Sequence, residues 1–223
     1  MDTHVRRIWL RVSGSYACFT RPEMKVERVS YEVMTPSAAR GILEAILWKP
    51  AMLWQVERIG VLRPIQWSSV RRNEIESVLT WPKMKAAWTG QGQPLGVWIE
   101  DERVQRSSLV LKDVAYLIQA SFQLSEHAGP RDNLEKFAAM FARRASRGQC
   151  FNQPYLGCRE FSARFEYIET PDFSEALPLD RDLGWMLYDL DYRQSEPQAQ
   201  FFRAQLREGV MDVPRAQSED LYS

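Results

Sequence analysis

The sequence predicts an α+β fold, in which strands and helices alternate along one chain of 223 residues. Three observations support this prediction. Runs of alternating apolar residues, which are typical of half-buried strands, flank segments whose apolar residues recur with the period of a helix. Glycine and proline residues, which favour turns, separate these segments. Finally, the hydrophobic share of 45% is sufficient for a packed core.

The first three predicted elements are a strand, a helix and a second strand. Residues 5–12 favour a strand, because β-branched and aromatic side chains dominate them. A helix is expected after Thr35-Pro36, since threonine is a good N-cap and proline fits the first helical position. It should end before Pro50. The next strand begins with alternating apolar residues and is predicted over residues 52–67.

A long excursion and a second strand–helix pair follow. Residues 80–96 are rich in glycine and proline and indicate the loop of an inserted β-hairpin spanning about 70–108. The clearest alternation of the chain then predicts a strand over residues 114–124. A second helix is predicted to open at Asp132, with Glu135 completing a capping box. Its predicted apolar stripe consists of Leu134, Phe137, Ala138, Phe141 and Ala145.

This order is the β-α-β-β-α-β pattern of a ferredoxin-like fold, which is also the scaffold of RNA-recognition domains. We expect residues 1–164 to form this domain with its hairpin insertion. Residues 165–223 should form a β-rich C-terminal extension packed on it, with a strand over 186–192. A fold of this kind does not by itself establish a function.

Charge divides the chain at the same place. The net charge is zero, but residues 1–164 hold 24 basic and 16 acidic side chains, whereas residues 165–223 hold 5 basic and 13 acidic ones. A basic part indicates a surface for a polyanion, and an acidic part indicates contact with protein or solvent. Chance segregation of charge on a neutral protein is the alternative.

Several function classes lack their sequence signals. The three cysteines are spaced unlike a zinc site and predict free thiols in a cytoplasmic protein, and no apolar run is long enough to cross a bilayer. Phosphate-binding loops, metalloprotease helices and nucleophile elbows are absent from the sequence. Asp189 and Asp191 alternate on one strand, but such acidic pairs are more often ordinary surface residues than metal ligands. We therefore predict neither a metal nor a cofactor.

The second helix carries the strongest signal of RNA binding. Lys136, Arg143 and Arg147 are spaced i, i+7 and i+11 along one face, with Arg144 beside them. Cations aligned in this way can follow successive phosphates of a nucleic acid. The alternative is an ordinary solvated face, but such faces usually mix both signs, and no acidic residue follows Glu135 in this helix.

Further candidates for RNA binding lie in the first loop and at both ends of the hairpin. These polar and basic residues are Lys25, Arg28, Arg71, Arg72, Asn73 and Arg106. Tryptophans near them could stack on unpaired bases, although packing in the core or hairpin explains such residues at least as well. His127 is the candidate general base, because it lies in the turn just before the basic helix and histidine titrates near neutral pH.

Long segments of the chain resemble the Cas5 family in its type I-C form, a subunit of the CRISPR surveillance complex Cascade. The segments that carry the resemblance are Gly14–Tyr31, Thr35–Ile46, Trp48–Pro50, Arg71–Glu74, Leu156–Phe161 and Arg181–Leu187. The resemblance implies a subunit that binds the repeat-derived 5′ handle of CRISPR RNA and caps one end of the complex. Its implied partners are the backbone and large Cascade subunits, with target DNA reached through the complex.

The resemblance also implies a metal-independent endoribonuclease, which cuts the repeat in precursor RNA through attack of a ribose 2′-hydroxyl on the adjacent phosphate. This step requires a general base, a general acid and a cation on the phosphate. Relatives that cleave place a tyrosine or histidine just before the Trp-Lys-Pro segment, where this chain has Leu47. They place a Lys-His pair in the second helix, where this chain has Lys136-Phe137, so that His127 or Tyr31 would have to replace the base.

The favoured hypothesis is a CRISPR-RNA-binding Cascade subunit whose cleavage activity is weak or lost, because Leu47 and Phe137 cannot transfer protons. One alternative is an active endoribonuclease that uses Lys136 and an unrecognised base. The other is a general nucleic-acid-binding protein outside CRISPR systems.

Overall fold

The computed structural model describes residues 6–91, 95–170, 172–192 and 196–222. Within these ranges the chain forms eight strands and four helices. The strands are β1 (Arg6–Ala17), β2 (Met52–Val61), β3 (Trp67–Ile75), β4 (Arg103–Leu124), β5 (Arg164–Tyr167), β6 (Arg181–Asp191), β7 (Gln198–Arg207) and β8 (Val210–Asp212). The helices are α1 (Pro36–Ile46), α2 (Trp81–Trp88), α3 (Ile99–Glu102) and α4 (Leu134–Ser146).

Four of the strands and two of the helices form a ferredoxin-like core. β4 lies between β1 and β2, β5 lies on the other side of β1, and all of these neighbours are antiparallel. The order results from two crossovers, β1-α1-β2 around β4 and β4-α4-β5 around β1. The fold class predicted from the sequence is confirmed.

The inserted hairpin consists of β3 and the first half of β4. Trp67 pairs with Leu111 and Ile75 pairs with Arg103, so that β4 continues directly from the hairpin into the core sheet. α2 and α3 lie in the chain between the two hairpin strands. Residues 92–94 of the predicted excursion, like Val5 at the start of the first predicted strand, lie outside the described residues.

The last three strands continue the same sheet beyond β2. β8 pairs with β2, and β7 pairs with both β8 and β6. Ion pairs also join the basic first part of the chain to the acidic C-terminal part: Arg40 contacts Asp189 at 2.5 Å, and Arg58 contacts Asp212 at 3.0 Å. Backbone pairing and charge therefore both hold the extension against the rest of the protein.

The core helices begin at capped residues. Thr35 caps α1 as predicted, because its side chain accepts the N–H of Ala38. In α4 the predicted cap is wrong by one residue: Asn133, and not Asp132, accepts the N–H of Lys136 at 2.8 Å. The predicted apolar stripe of α4 is buried, since Phe137, Phe141 and Ala145 belong to the main hydrophobic core.

Candidate nucleic-acid interface

The C-terminal end of α1 is held by groups from the end of α4 and the segment after it. The carbonyl of Ala45 accepts the N–H of Phe151 at 2.8 Å, and the carbonyl of Ile46 accepts a hydrogen bond from the Arg144 guanidinium at 2.8 Å. The last carbonyls of a helix lack partners within the helix, so these bonds satisfy groups that would otherwise be unpaired. They also bring the basic end of α4 next to α1.

The beginning of α4 lies on the same side of the molecule. In the turn before α4, Ser125 donates from its N–H to the carbonyl of Ala51 at 3.0 Å and from its hydroxyl to that of Pro50 at 2.6 Å. The ammonium of Lys136 contacts Asp132 at 2.9 Å. This hydrogen bond, with a further one from a backbone N–H, lowers the pKa of Asp132 and keeps the carboxylate charged.

The two positions at which the family resemblance implies proton-transfer groups are occupied by core residues. Leu47 is 0% exposed and Phe137 is 2% exposed. Lys136 is the one residue of the implied catalytic set that this chain keeps. Its side chain is 45% exposed, and its ammonium lies 5.5 Å from the centroid of the Phe137 ring. The structure thus contains a cation at this place, but no acid or base at either substituted position.

The two candidate substitutes for the base lie in different surroundings. His127 is exposed in the turn that bonds to Pro50, and its Nε2 lies 3.8 Å from the carboxylate of Glu126. Tyr31 is buried, and its hydroxyl accepts the N–H of Leu187 at 3.2 Å. Burial raises the pKa of Tyr31, which disfavours the phenolate that a base would require. Of the two, His127 is therefore the one that is accessible from solvent.

The predicted basic face of α4 contains two kinds of arginine. Arg143 and Arg147 are exposed, whereas Arg144 is half-buried and bonded to the carbonyl of Ile46. Sequence reasoning missed this bond because the two residues it joins lie 98 positions apart. Lys136 and Arg143 of α4, and Arg147 at its C-cap, are the cations of this helix face that are exposed to solvent.

The root of the hairpin carries a second group of charges, divided between its two faces. Side chains alternate along β3, so that Arg71 and Asn73 are exposed on one face while Arg72 and Glu74 lie half-buried on the other. Lys25 is exposed in the first loop. The first loop is joined to the hairpin by hydrogen bonds with Leu109 of β4, which brings both regions together.

The half-buried face of the root contains a network of ion pairs, called here the root network. Its members are Arg28, Arg72, Arg106, Glu74 and Glu160. Arg72 contacts Glu74 at 3.0 Å and also Glu160, and Arg106 contacts Glu74 at 3.5 Å. The network therefore offsets three predicted RNA-binding cations with two carboxylates that sequence reasoning did not single out.

Two buried cysteines lie beside the root network. Arg28 donates to the Sγ of Cys158 at 3.3 Å, and Cys18 packs with Cys158 in a small buried cluster. Hydrogen bonds from Cys18 and Arg28 lower the pKa of Cys158 to about 6. The hydrogen bond between the two cysteines, together with burial, raises the pKa of Cys18. All three cysteines are free, which confirms the prediction of free thiols.

A groove with a volume of about 680 Å³ runs between α1 and residues 151–157. We call it the α1 groove. Gly41 and Glu44 lie on its helix side and Phe151 and Tyr155 on the opposite side, with Trp48 at the end of α1. Sequence reasoning missed the groove, because residues 151–157 have no periodic pattern that would place them in space.

The part of the chain that the structure describes contains neither a grouped set of metal ligands nor a helix that could span a membrane. Asp189, one of the two alternating aspartates that the sequence analysis favoured as ordinary surface residues, is paired with Arg40. Among the described residues, no three His, Cys, Asp or Glu side chains are grouped so that they could hold a metal ion. None of the helices in those same ranges has the length and apolar character needed to cross a membrane.

Comparison with known proteins relates this fold to CRISPR-associated proteins. A family described as "CRISPR-associated protein (Cas_Cas5)" matches residues 8–214. A protein of Mannheimia succiniciproducens named "CRISPR pre-crRNA endoribonuclease Cas5d" is 50% identical over 224 residues, covering 96% of this chain and 98% of the relative. A Thermus thermophilus protein of the same name is 43% identical over 239 residues, covering 97% and 95%.

Solved structures support the same fold. One titled "Crystal Structure of CRISPR-associated Protein" superposes with a TM-score of 0.70 at 23% identity and covers 100% of both chains. A chain of a "CRISPR RNA-guided surveillance complex" superposes with a TM-score of 0.54 at 17% identity, covering 94% of this chain and 91% of that one. At these identities the likeness concerns the fold alone.

Proposed function

The chain belongs to the Cas5 family of CRISPR-associated proteins, and we propose that it is a type I-C Cascade subunit that binds the repeat-derived 5′ handle of CRISPR RNA with little or no cleavage. The observation that carries the proposal is the burial of Leu47 and Phe137 in the core, beside a helix that keeps its exposed cations. The relatives' names support RNA of this kind as the ligand, since both name pre-crRNA.

Binding would rest on two exposed sets of cations. The first is the solvent-facing face of α4 with Lys136, Arg143 and Arg147, and the second is the exposed side of the hairpin root with Lys25 and Arg71. Each phosphate neutralised on single-stranded RNA contributes a slope of about −0.7 to the dependence of log K on log salt. We expect the cations of the root network to contribute less, because carboxylates already offset their charge.

Loss of cleavage would follow from the chemistry of the step. A positioned general acid or base typically contributes about 100- to 10,000-fold each, and an apolar side chain contributes neither. Lys136 can still stabilise charge on a phosphate, but its pairing with Asp132 reduces that effect. A chain of this kind retains the electrostatics of binding while it loses proton transfer.

Incubation of the full chain with labelled repeat RNA in the presence of EDTA tests the proposal. We expect tight binding and no specific product, whereas the Mannheimia relative under the same conditions serves as a cleaving control. The double variant Leu47→Tyr with Phe137→His should gain cleavage if its thermal unfolding shows that it folds. Cutting of the repeat at one site by the unaltered chain, abolished by Lys136→Ala, would contradict the proposal.

An active endoribonuclease is the second candidate, because the relatives at 50% and 43% identity are named as such. His127 favours it, since this histidine is exposed in the turn that leads into α4. If His127 is the base, His127→Ala should abolish the product and leave RNA affinity unchanged. Cleavage by the unaltered chain that His127→Ala does not reduce would exclude this role.

A further inference from the structure

α1 contains a glycine that neither the backbone nor the packing of the chain requires. Gly41 lies in the middle of the helix, where glycine is destabilising relative to alanine because it loses more backbone freedom on folding. A Cβ at this position would meet no described atom within 4 Å, and the backbone there is an ordinary helical one. The space that the missing side chain leaves opens into the α1 groove.

The walls of the α1 groove present aromatic rings to solvent. Trp48 is 57% exposed, Phe151 is 84% exposed and Tyr155 is 43% exposed. The position of Phe151 is fixed nonetheless, because its N–H bonds to the carbonyl of Ala45 at 2.8 Å. Exposed aromatic side chains on a fixed backbone are suited to stacking with flat rings, and every nucleobase offers such a face.

A carboxylate stands one turn after the glycine on the groove side of α1. Glu44 is half-buried and lies 3.5 Å from the guanidinium of Arg40. Burial raises the pKa of Glu44, with Arg40 acting in the opposite direction. A half-buried carboxylate has few water partners and accepts hydrogen bonds readily from the amino groups on the edges of bases.

The charges next to the groove complement a nucleic acid rather than an apolar peptide. Arg144 caps α1 beside the groove, and the turn that follows it runs from Arg147 to Phe151 in the groove wall. Arg143 and Arg147 are exposed on this last part of α4. A phosphate on these arginines would therefore place its own base near the groove.

We propose that the α1 groove holds one unpaired nucleobase of the bound RNA, which stacks on Phe151 or Trp48 and donates from an amino group to Glu44. Gly41 is then the residue that allows the base to approach the helix. This inference rests on the proposed RNA-binding function and deepens it. It predicts that a site next to the phosphate-binding face distinguishes bases with an amino group from uracil, which has none.

Substitution of Gly41 separates a ligand-binding role from a structural one. Gly41→Ala should raise the thermal unfolding temperature, because alanine favours the helix and has room. Gly41→Leu should fold but bind handle RNA at least about 10-fold more weakly, because its side chain fills the space of the base. Phe151→Ala should bind about 5- to 150-fold more weakly, because stacking on the base is lost. Gly96→Ala is the matched control, since its added methyl group also has open space and lies outside the groove.

The base itself is identified with a series of handle RNAs, each carrying one abasic nucleotide. The RNA that lacks the base held in the groove should bind the unaltered chain more weakly than the complete handle does. The unaltered chain and Gly41→Leu should bind this abasic RNA with equal affinity. If no abasic position removes the difference between the two proteins, or if Gly41→Leu and Phe151→Ala bind as the unaltered chain does, the groove holds no base.

Two other outcomes are distinguishable. If the unaltered chain does not prefer handle RNA to unrelated RNA, the proposed function itself fails. If Gly41→Leu keeps its RNA affinity but no longer binds a neighbouring Cascade subunit, the groove is a protein-docking surface and the inference is overturned.

Discussion

Arg143 and Arg144 are neighbours on α4, yet their guanidinium groups lie in different surroundings. Arg143 is exposed, and Arg144 is half-buried with a 2.8 Å hydrogen bond to the carbonyl of Ile46. A hydrogen bond from a charged donor contributes more than one between neutral groups, and its loss leaves a carbonyl unpaired. Two adjacent arginines thus serve folding and surface charge separately.

Alanine substitution should separate these roles. Arg144→Ala is expected to lower the free energy of unfolding by about 1–3 kcal/mol in urea denaturation, because the end of α1 loses its partner. Arg143→Ala should leave stability within about 0.5 kcal/mol of the unaltered chain and flatten the salt dependence of RNA binding by about 0.7. Equal salt slopes for Arg143→Ala and the unaltered chain would show that Arg143 lies on an ordinary solvated face.

The ionisation of Cys158 is shifted far enough to be measured directly. Its pKa is lowered from 9.0 to about 6, because Cys18 and Arg28 donate to the sulfur. The ultraviolet absorbance of the thiolate should therefore rise with pH at a midpoint well below that of an ordinary thiol. Arg28→Ala should move this midpoint upward, whereas Cys150→Ser, a control at the third cysteine, should leave it unchanged.

The same shift has a consequence for stability with a defined sign. Because the pKa of Cys158 is lower in the folded than in the unfolded chain, its ionisation contributes stability that is lost as pH falls from about 9 to about 6. Above about pH 9 the raised pKa of Cys18 acts in the opposite direction. Cys158→Ser should remove this part of the pH dependence of the free energy of unfolding. An unchanged pH dependence would show that Cys158 is protonated in the folded protein.

At the scale of elements, regular periodicity made α1, the core part of β4 and the buried stripe of α4 predictable. The bounds were less accurate: β4 begins at Arg103, because the return limb of the predicted hairpin and the strand predicted from residue 114 form one continuous strand. The cap of α4 was misplaced because Asp132 and Asn133 are both good N-caps, and only the three-dimensional turn with Gly129 decides between them.

The candidate site was predictable only in part for the same physical reason. Exposed cations on one helix face follow from spacing within that helix, so Lys136, Arg143 and Arg147 could be found from the sequence. The root network and the α1 groove join segments far apart in the chain, and such contacts leave no local pattern. Glu160 was missed on this account, although it offsets the charge of Arg72.

At the scale of the whole molecule, the division of charge along the chain is partly cancelled by the fold. Arg11 contacts Glu175 at 2.6 Å, and Arg40 contacts Asp189 at 2.5 Å, so acidic residues of the C-terminal part neutralise arginines of the first part. Exposed cations such as Arg143 of α4 and Arg71 of the hairpin root remain available to the basic surface that we propose for RNA binding.

Sheet continuity indicates that the chain unfolds as one unit. β5 (Arg164–Tyr167) pairs with β1 inside the ferredoxin-like core, and β8 pairs with β2, so the C-terminal residues contribute hydrogen bonds on both sides of the first part. The ring of Phe173 also packs against Trp9, with centroids 4.8 Å apart.

Differential scanning calorimetry of the full chain should therefore show a single cooperative transition. A fragment of residues 1–164, which lacks most of β5 and all of β8, should lack the cooperative transition and the near-ultraviolet circular dichroism of a packed core. Two separate transitions in the full chain, or a cooperatively folded fragment, would show instead that the extension is an independent unit. In that case RNA binding by the fragment alone would be the appropriate measurement of what the extension adds.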